Sequence, residues 1–261
     1  MISKTELKRI RSLRQKKYRR QYRRFLVEGV RLVEEALSAD ADVVAVAHTN
    51  ELLQSERGAK LIHGIDKHGI PRHEVTEHDL KSISDTVHSQ GIIAVASISE
   101  PSPIEEAAND TWLYLDSVSD PGNLGTMLRT ADWFGLKYVA LSPTCADPYN
   151  PKVVRSGMGA HFHLNICSSA ELSQFKQSGH TLLAANQKGI PLNQLPLTDD
   201  QLCLVMGSEA HGISDDIMPL VDHLVAIPGA GSAESLNVAV AAGILLYQLT
   251  IDHKPSRSAR P

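Results

Sequence analysis

Leu202-Cys203-Leu204-Val205-Met206-Gly207-Ser208-Glu209-Ala210-His211-Gly212-Ile213 begins with five apolar residues and then turns, within one position, small and polar. An unbroken apolar run of that length reads as a strand buried on both faces, because a half-buried strand would alternate. Gly207 marks where the strand meets a turn, and Glu209 sets an acid at its carboxyl end. Two other stretches repeat the pattern. Trp112–Asp116 leads into Ser117-Val118-Ser119-Asp120-Pro121-Gly122-Asn123-Leu124-Gly125-Thr126-Met127-Leu128-Arg129-Thr130-Ala131. Leu224–Ile227 leads into Pro228-Gly229-Ala230-Gly231-Ser232-Ala233-Glu234-Ser235-Leu236-Asn237-Val238-Ala239.

Further short apolar runs lie at Tyr138–Leu141, near Phe162–Ile166 and at Thr181–Ala185, and helical patterns fill 122–135, 169–178 and 234–250. Strands alternating with helices predict a parallel sheet covered on both faces over residues 111–251. Asn123 is expected to cap the helix that carries Arg129, and Ser235 and Asn237 to open the last one. Residues 98–110, with two prolines, small polar residues and acids, have a linker's composition. Before it, residues 1–97 read as a smaller α/β domain with strands at Phe25–Val27, Val43–Ala47, Arg72–Val75 and Gly91–Ala96. Its helices are expected at 30–38, near 58–67 and from Thr76. The tail, 252–261, has too little apolar content to pack and is expected to be mobile.

Charge is distributed unevenly. Residues 1–24 hold 11 basic residues and one acid, Glu6, about +10, while the whole chain of 261 residues totals −4. Within this segment, Leu7, Ile10 and Leu13 give only a narrow apolar stripe, so residues 4–20 read as a basic helical arm working outside a core. Such segregation points to a polyanionic partner, and Tyr18, Tyr22 and Phe25 in or beside the arm allow some base stacking.

Several classes are excluded. The apolar stretch Leu236–Leu249 is broken by Asn237, Gly243 and Gln248 and is too short to span a bilayer. The basic N-terminus lacks the apolar run of a secretory signal, which leaves a cytoplasmic expectation. Cys145, Cys167 and Cys203 are far apart and form neither a disulfide framework nor a thiolate metal site. His63, His68, His73 and His78 recur every five residues, a spacing that returns to no single helix face, so no metal site is expected there. His161-Phe162-His163 would set two imidazoles on one strand face. The Gly229 turn mimics a dinucleotide fingerprint but has Glu234 where the third glycine belongs, which counts against a dehydrogenase.

Together, the three strand-to-turn segments resemble the three motifs of the SpoU/TrmH family of RNA 2′-O-ribose methyltransferases, within the SPOUT superfamily. The likeness spans about residues 111–250, and the first domain resembles that family's substrate-binding domain through Phe25-Leu26-Val27-Glu28-Gly29-Val30-Arg31. The resemblance implies an α/β protein with a C-terminal trefoil-knotted SPOUT methyltransferase domain and a smaller N-terminal RNA-binding domain. It also implies S-adenosylmethionine as cofactor, a homodimer, and structured RNA as partner, ribosomal RNA ahead of transfer RNA, with no membrane and no metal. Carried over position by position, it gives Asn123, Arg129, Glu209, Ser235 and Asn237 as catalytic or substrate-contacting residues. Ala185, Gly207, Ile227 and Leu236 become the cofactor contacts, with Ile227 and Leu236 sandwiching a purine. The resemblance implies that Arg129 activates the 2′-hydroxyl, either as a base or, since a guanidinium loses its proton only above about pH 12, as a charge that grips a phosphate and stabilises a developing alkoxide. Glu209 would orient Arg129 or contact RNA. Gly-Ser-Glu-Ala in the second motif departs from the family's frequent Asn and Gly around the acid. The competing reading is a non-catalytic RNA-binding protein keeping the SPOUT fold, which failure to bind S-adenosylmethionine at millimolar concentration would favour.

Overall fold

The computed structural model describes residues 2–86, 89–197 and 201–252, so His88 and the expected mobile tail from 253 onward lie outside the described residues. In chain order the elements begin with α1 (Lys4–Ser12), α2 (Lys16–Tyr22), β1 (Arg24–Glu28), α3 (Val30–Ser38) and β2 (Val43–His48). They continue with α4 (Glu56–Lys67), β3 (Arg72–Glu74), α5 (Glu77–Ile83) and β4 (Ile92–Ser97). After residue 110 come β5 (Trp112–Leu115), α6 (Pro121–Trp133), β6 (Tyr138–Leu141), α7 (Pro151–Gly157) and β7 (Asn165–Ser168). The series closes with α8 (Leu172–Gln177), β8 (Thr181–Pro191), β9 (Leu202–Met206), β10 (His223–Ala226) and α9 (Val238–Asp252). They form two compact units, one of residues 1–100 with 147–163, the other of 101–146 with 164–261.

The first unit is built on a four-stranded sheet of order β1-β4-β2-β3, antiparallel except for the β2/β3 pair. One core gathers Phe25, Val27, Val33, Val46, Ile65 and Ile92. Another gathers Ile10, Leu13, Leu26, Val75, Leu80 and Ile83, which corrects the reading of the basic segment as an arm outside any core. Three apolar residues at a spacing of three are enough to seat α1 when the surface beneath is already apolar. Arg19 is also buried: its guanidinium donates to Asp147 Oδ2 and to the carbonyls of Leu13 and Arg14. One of the eleven cations of that segment therefore works inside the structure.

Residues 147–163 depart most from expectation. Asn150 Oδ1 accepts from Lys152 N, Pro151 takes the first helical position, and α7 follows. The strand expected near Phe162–Ile166 begins only at Asn165, and Ala160–Phe162 is a 3-10 turn. His161 is therefore not on a strand face. It is buried, with Nε2 2.8 Å from the Pro148 carbonyl and its ring tilted against Phe25 and Tyr149. Desolvation pushes its pKa down to about 4, so it is neutral.

The second unit holds a six-stranded sheet of order β10-β8-β9-β5-β6-β7, every neighbouring pair parallel. Its core packs Trp112, Tyr114, Phe175, Leu182, Cys203 and Val205, and also Ile104 and Ala107 from the segment with a linker's composition. Sequence order runs outward from β5 through β6 to β7, then returns to the other side of β5, so direction reverses at the β5/β9 boundary. In sheets of this kind a ligand crevice opens at the carboxyl ends of the strands flanking such a reversal. β8 is longer than expected, and its pairing with β10 jumps from Ala184↔Leu224 to Ile190↔Val225.

Candidate active site

Three connections leave the strands around that reversal, and a chain of side chains ties them together. Asn123 Nδ2 donates to Glu209 Oε1, and Asn123 Oδ1 accepts from Asn237 Nδ2 at 3.0 Å. Asn237 Oδ1 in turn accepts from the amides of Ala239 and Val240 at 3.0 and 3.2 Å. Residues 86 and 114 positions apart thus share one polar relay. Both ends of the Asn123 amide are engaged, so its orientation is set by partners of opposite kind.

The local sequence explains why these groups can meet. Asp120 Oδ1 accepts from Asn123 N at 2.8 Å and Pro121 fills the first turn, so α6 starts with a side-chain cap. Asp120, not Asn123 as expected, is that cap, which leaves the Asn123 side chain free for its partners. At the other end of the relay, α9 begins at Val238, so Asn237 is the cap and the helix does not reach back to residue 234. Its cap occupies two of the amide donors at the start of α9.

Asp116 is a residue the sequence reading quoted but did not select. It is 3 % exposed, and its Oδ2 accepts from both the amide and the hydroxyl of Ser214 at 2.8 and 2.7 Å. Its own amide donates to the Met206 carbonyl. Asp116 thereby fixes the loop 207–213 that carries Glu209. A carboxylate at the end of the otherwise apolar strand Trp112–Leu115 was the available signal.

Arg129 is exposed on α6 and makes no hydrogen bond or ion pair among the described residues. Among the described residues Glu209 is engaged by Asn123 and not by Arg129. Ser235 lies exposed in the irregular segment before α9 and makes no hydrogen bond among the described residues.

Among the residues expected to hold S-adenosylmethionine, Gly207 is required by the backbone of its own loop. A Cβ at Gly207 would lie 2.2 Å from Gly212 C and 2.4 Å from Ile213 N, so only glycine lets β9 run beneath the loop. Gly189 is similarly tight, with Leu224 C at 2.5 Å. Ala185 is half-buried where the β8/β10 pairing breaks, and Ile227 is half-buried after β10. Leu236 is 49 % exposed. Gln187 Nε2 donates to the Glu234 carbonyl, holding the loop that carries Leu236 beside β8. Apolar side chains left open next to backbone without side-chain obstruction suit a flat heterocycle. Burial pushes the Cys145, Cys167 and Cys203 thiols up, away from thiolate nucleophiles. No group of three His, Cys, Asp or Glu able to hold a metal ion occurs among the described residues.

Comparison with known proteins places the chain in a family. The profile of the SpoU rRNA methylase family matches residues 110–247. This chain belongs to the SpoU rRNA methylase family. An MRM3-like substrate-binding domain profile matches residues 4–94. The chain is 34% identical over 241 residues to the 23S rRNA (guanosine(2553)-2'-O)-methyltransferase RlmP of Bacillus subtilis, covering 91% of this chain and 92% of that one. It is 30% identical to the mitochondrial rRNA methyltransferase 3A of Danio rerio, over 95% of this chain and 69% of that one. An AdoMet-bound rRNA methyltransferase from Sinorhizobium meliloti superposes with a TM-score of 0.82 at 28% identity, over 97% of each chain.

Proposed function

We propose that the protein transfers a methyl group from S-adenosylmethionine to a ribose 2′-hydroxyl of structured RNA, with ribosomal RNA the first candidate and transfer RNA the second. The observation that carries the reading is the Glu209–Asn123–Asn237 relay at the sheet's reversal point, with the glycine-containing turn at Gly207 on the same loop as Glu209. S-adenosylmethionine supplies an electrophilic methyl carbon. The chain would supply placement and charge, and the ribose hydroxyl proton would pass to solvent. Arg129, unpaired and permanently charged, holds the RNA phosphate beside the reacting ribose and stabilises the oxygen as charge develops. The relay fixes the turns around it, which matters because in-line attack depends on sub-ångström placement. Mapping 2′-O-methylation in total RNA from cells lacking the gene tests the reading. A missing ribosomal methyl group supports it, and an unchanged map in every RNA refutes it.

Further parts of this reading concern assembly and setting. The tight packing of the 207–213 turn on itself at Gly207, and of β8 on β10 at Gly189, fits the trefoil knot implied for the second unit. A homodimer is supported by an apolar face on the packed pair α6 and α9: Trp133 is 83 % exposed, Tyr247 54 % and Val240 51 %. Replacing Trp133 with Glu should halve the mass measured by light scattering; an unchanged mass would move the interface elsewhere. The first unit recruits RNA through its basic surface. A cytoplasmic setting is supported by three free cysteines, and detection of the protein in the soluble cytoplasmic fraction tests it.

A further inference from the structure

The first unit contains a cavity of about 330 Å³ between α1 and one end of its sheet. Its floor is apolar, made by Val44 and Ala45 of β2 and Val95 of β4. Val44 gets there through a β-bulge: pairing steps from Val43↔Ala96 to Ala45↔Val95, so two β2 positions are matched by one on β4. Bulges re-aim side chains and recur beside functional sites. The bulge accompanies half-exposed apolar residues in a sheet that otherwise buries its apolar side chains well.

The mouth has the opposite chemistry. The Arg9 guanidinium lies 4.8 Å from the centre of the Tyr22 ring, and Tyr22 stacks on Tyr18 at 6.1 Å and 15°. Arg24 lines the same opening. Arg14, Arg19 and Arg23 each pair with an acid, whereas Arg9 and Arg24 have no carboxylate partner among the described residues. Glu6 also lines the cavity and lies 3.4 Å from His73 Nε2.

We propose that this cavity receives one unpaired RNA nucleotide, its base on the apolar floor against the Tyr22–Arg9 stack and its phosphate on Arg9 and Arg24. The proposal rests on the reading of the protein as an RNA methyltransferase and adds to it a site remote in sequence from the three motifs. Aromatic and guanidinium planes are the surfaces on which extruded bases stack, and every base offers a face to them. Paired bases are not available to such a cavity, so the site selects single-stranded or bulged positions over continuous duplex. Glu6 offers an acceptor to an exocyclic amino group of the base.

The test uses the full-length protein, isotopically labelled, with pentacytidylate as probe and inorganic phosphate and a blunt RNA duplex as controls. Pentacytidylate should shift the backbone resonances of Val44, Ala45 and Val95, and the two controls should not. Ala45→Phe, which fills the floor, should weaken pentacytidylate binding about tenfold, the scale of one stacked base. S-adenosylmethionine affinity should not change. Arg9→Ala, at an exposed helix position, should weaken pentacytidylate binding similarly without altering the fold. Equal shifts from phosphate or duplex, or unchanged pentacytidylate affinity in both variants, would overturn the site. If a ribosomal RNA transcript still binds while the cavity resonances stay put, the site alone fails. If neither that transcript nor any other RNA binds, the RNA reading fails with it.

Discussion

The substitution Asn123→Asp leaves side-chain shape unchanged and inverts one hydrogen bond. Asn123 Nδ2 donates to Glu209 Oε1, while Asn123 Oδ1 accepts from Asn237. In the variant the contact with Asn237 survives, and the contact with Glu209 becomes two carboxylate oxygens facing each other. Losing a hydrogen bond to a charged acceptor at an exposed site costs about 1 kcal/mol. Placing two like charges near 4 Å in a water-like medium costs about another 1 kcal/mol. Turnover should therefore fall about thirtyfold at pH 8 if the relay must be intact when methyl moves. The effect should also titrate. Two facing carboxylates raise the pKa of one above the ordinary carboxylate range, so a shared proton restores the hydrogen bond in acid. The variant's rate relative to wild type should recover as pH falls from 8 to about 5. The assay is transfer of labelled methyl to ribosomal RNA at saturating cofactor, with both proteins measured side by side so that intrinsic pH effects cancel. A ratio that stays near one at pH 8, or that is low and independent of pH, would refute the orienting role of the relay.

Three other expectations follow from positions described above. Arg129→Ala should lower turnover at least about a hundredfold, the scale for loss of one preorganised charge donor, with cofactor affinity by calorimetry unchanged; near-normal turnover would remove Arg129 from the reaction. Gly207→Ala forces a Cβ to within 2.2 Å of backbone, so S-adenosylmethionine affinity should fall about tenfold or more, the binding equivalent of a strain of 1 to 3 kcal/mol; binding at wild-type strength would mean the loop is not part of the cofactor site. His161 has a folded pKa of about 4, below the 6.5 of the unfolded chain. The unfolded state binds the extra proton between those values, so stability is fully present above pH 6.5 and is lost by up to about 3 kcal/mol as pH falls toward 4. Urea midpoints of His161→Phe should show a shallower decline over that window, and parallel declines would assign the acid sensitivity to other groups.

The strands of the second unit were legible because parallel sheets buried on both faces write uninterrupted apolar runs, as at Leu202–Met206. Family membership was legible in the three polar turns that follow such runs. The partner of Glu209 was not, because Asn123 is 86 residues away and no local periodicity encodes that meeting. The basic segment misled for a related reason. Ile10 and Leu13 form a stripe too narrow to predict burial on their own, and burial came from the apolar surface that β1, β4 and α5 present to them. His161-Phe162-His163 misled because three alternating residues fit a strand and a 3-10 turn equally well. The better signal stood upstream in Asn150-Pro151, a helix cap followed by a helix-starting proline.

Residues 147–163 carry a consequence for modularity. They lie in sequence between β6 and β7 of the second unit, yet Tyr149, Val154 and Phe162 complete the core around Phe25 and Val27, and Asp147 neutralises the buried Arg19. The chain passes from one unit to the other three times, not once. Severing the gene after residue 100 would give an N-terminal product with an unneutralised interior cation and a C-terminal product with orphaned apolar side chains. The first unit of this protein cannot be exchanged like a bead on a string: any recombination that swaps it must carry a second, distant piece of coding sequence along.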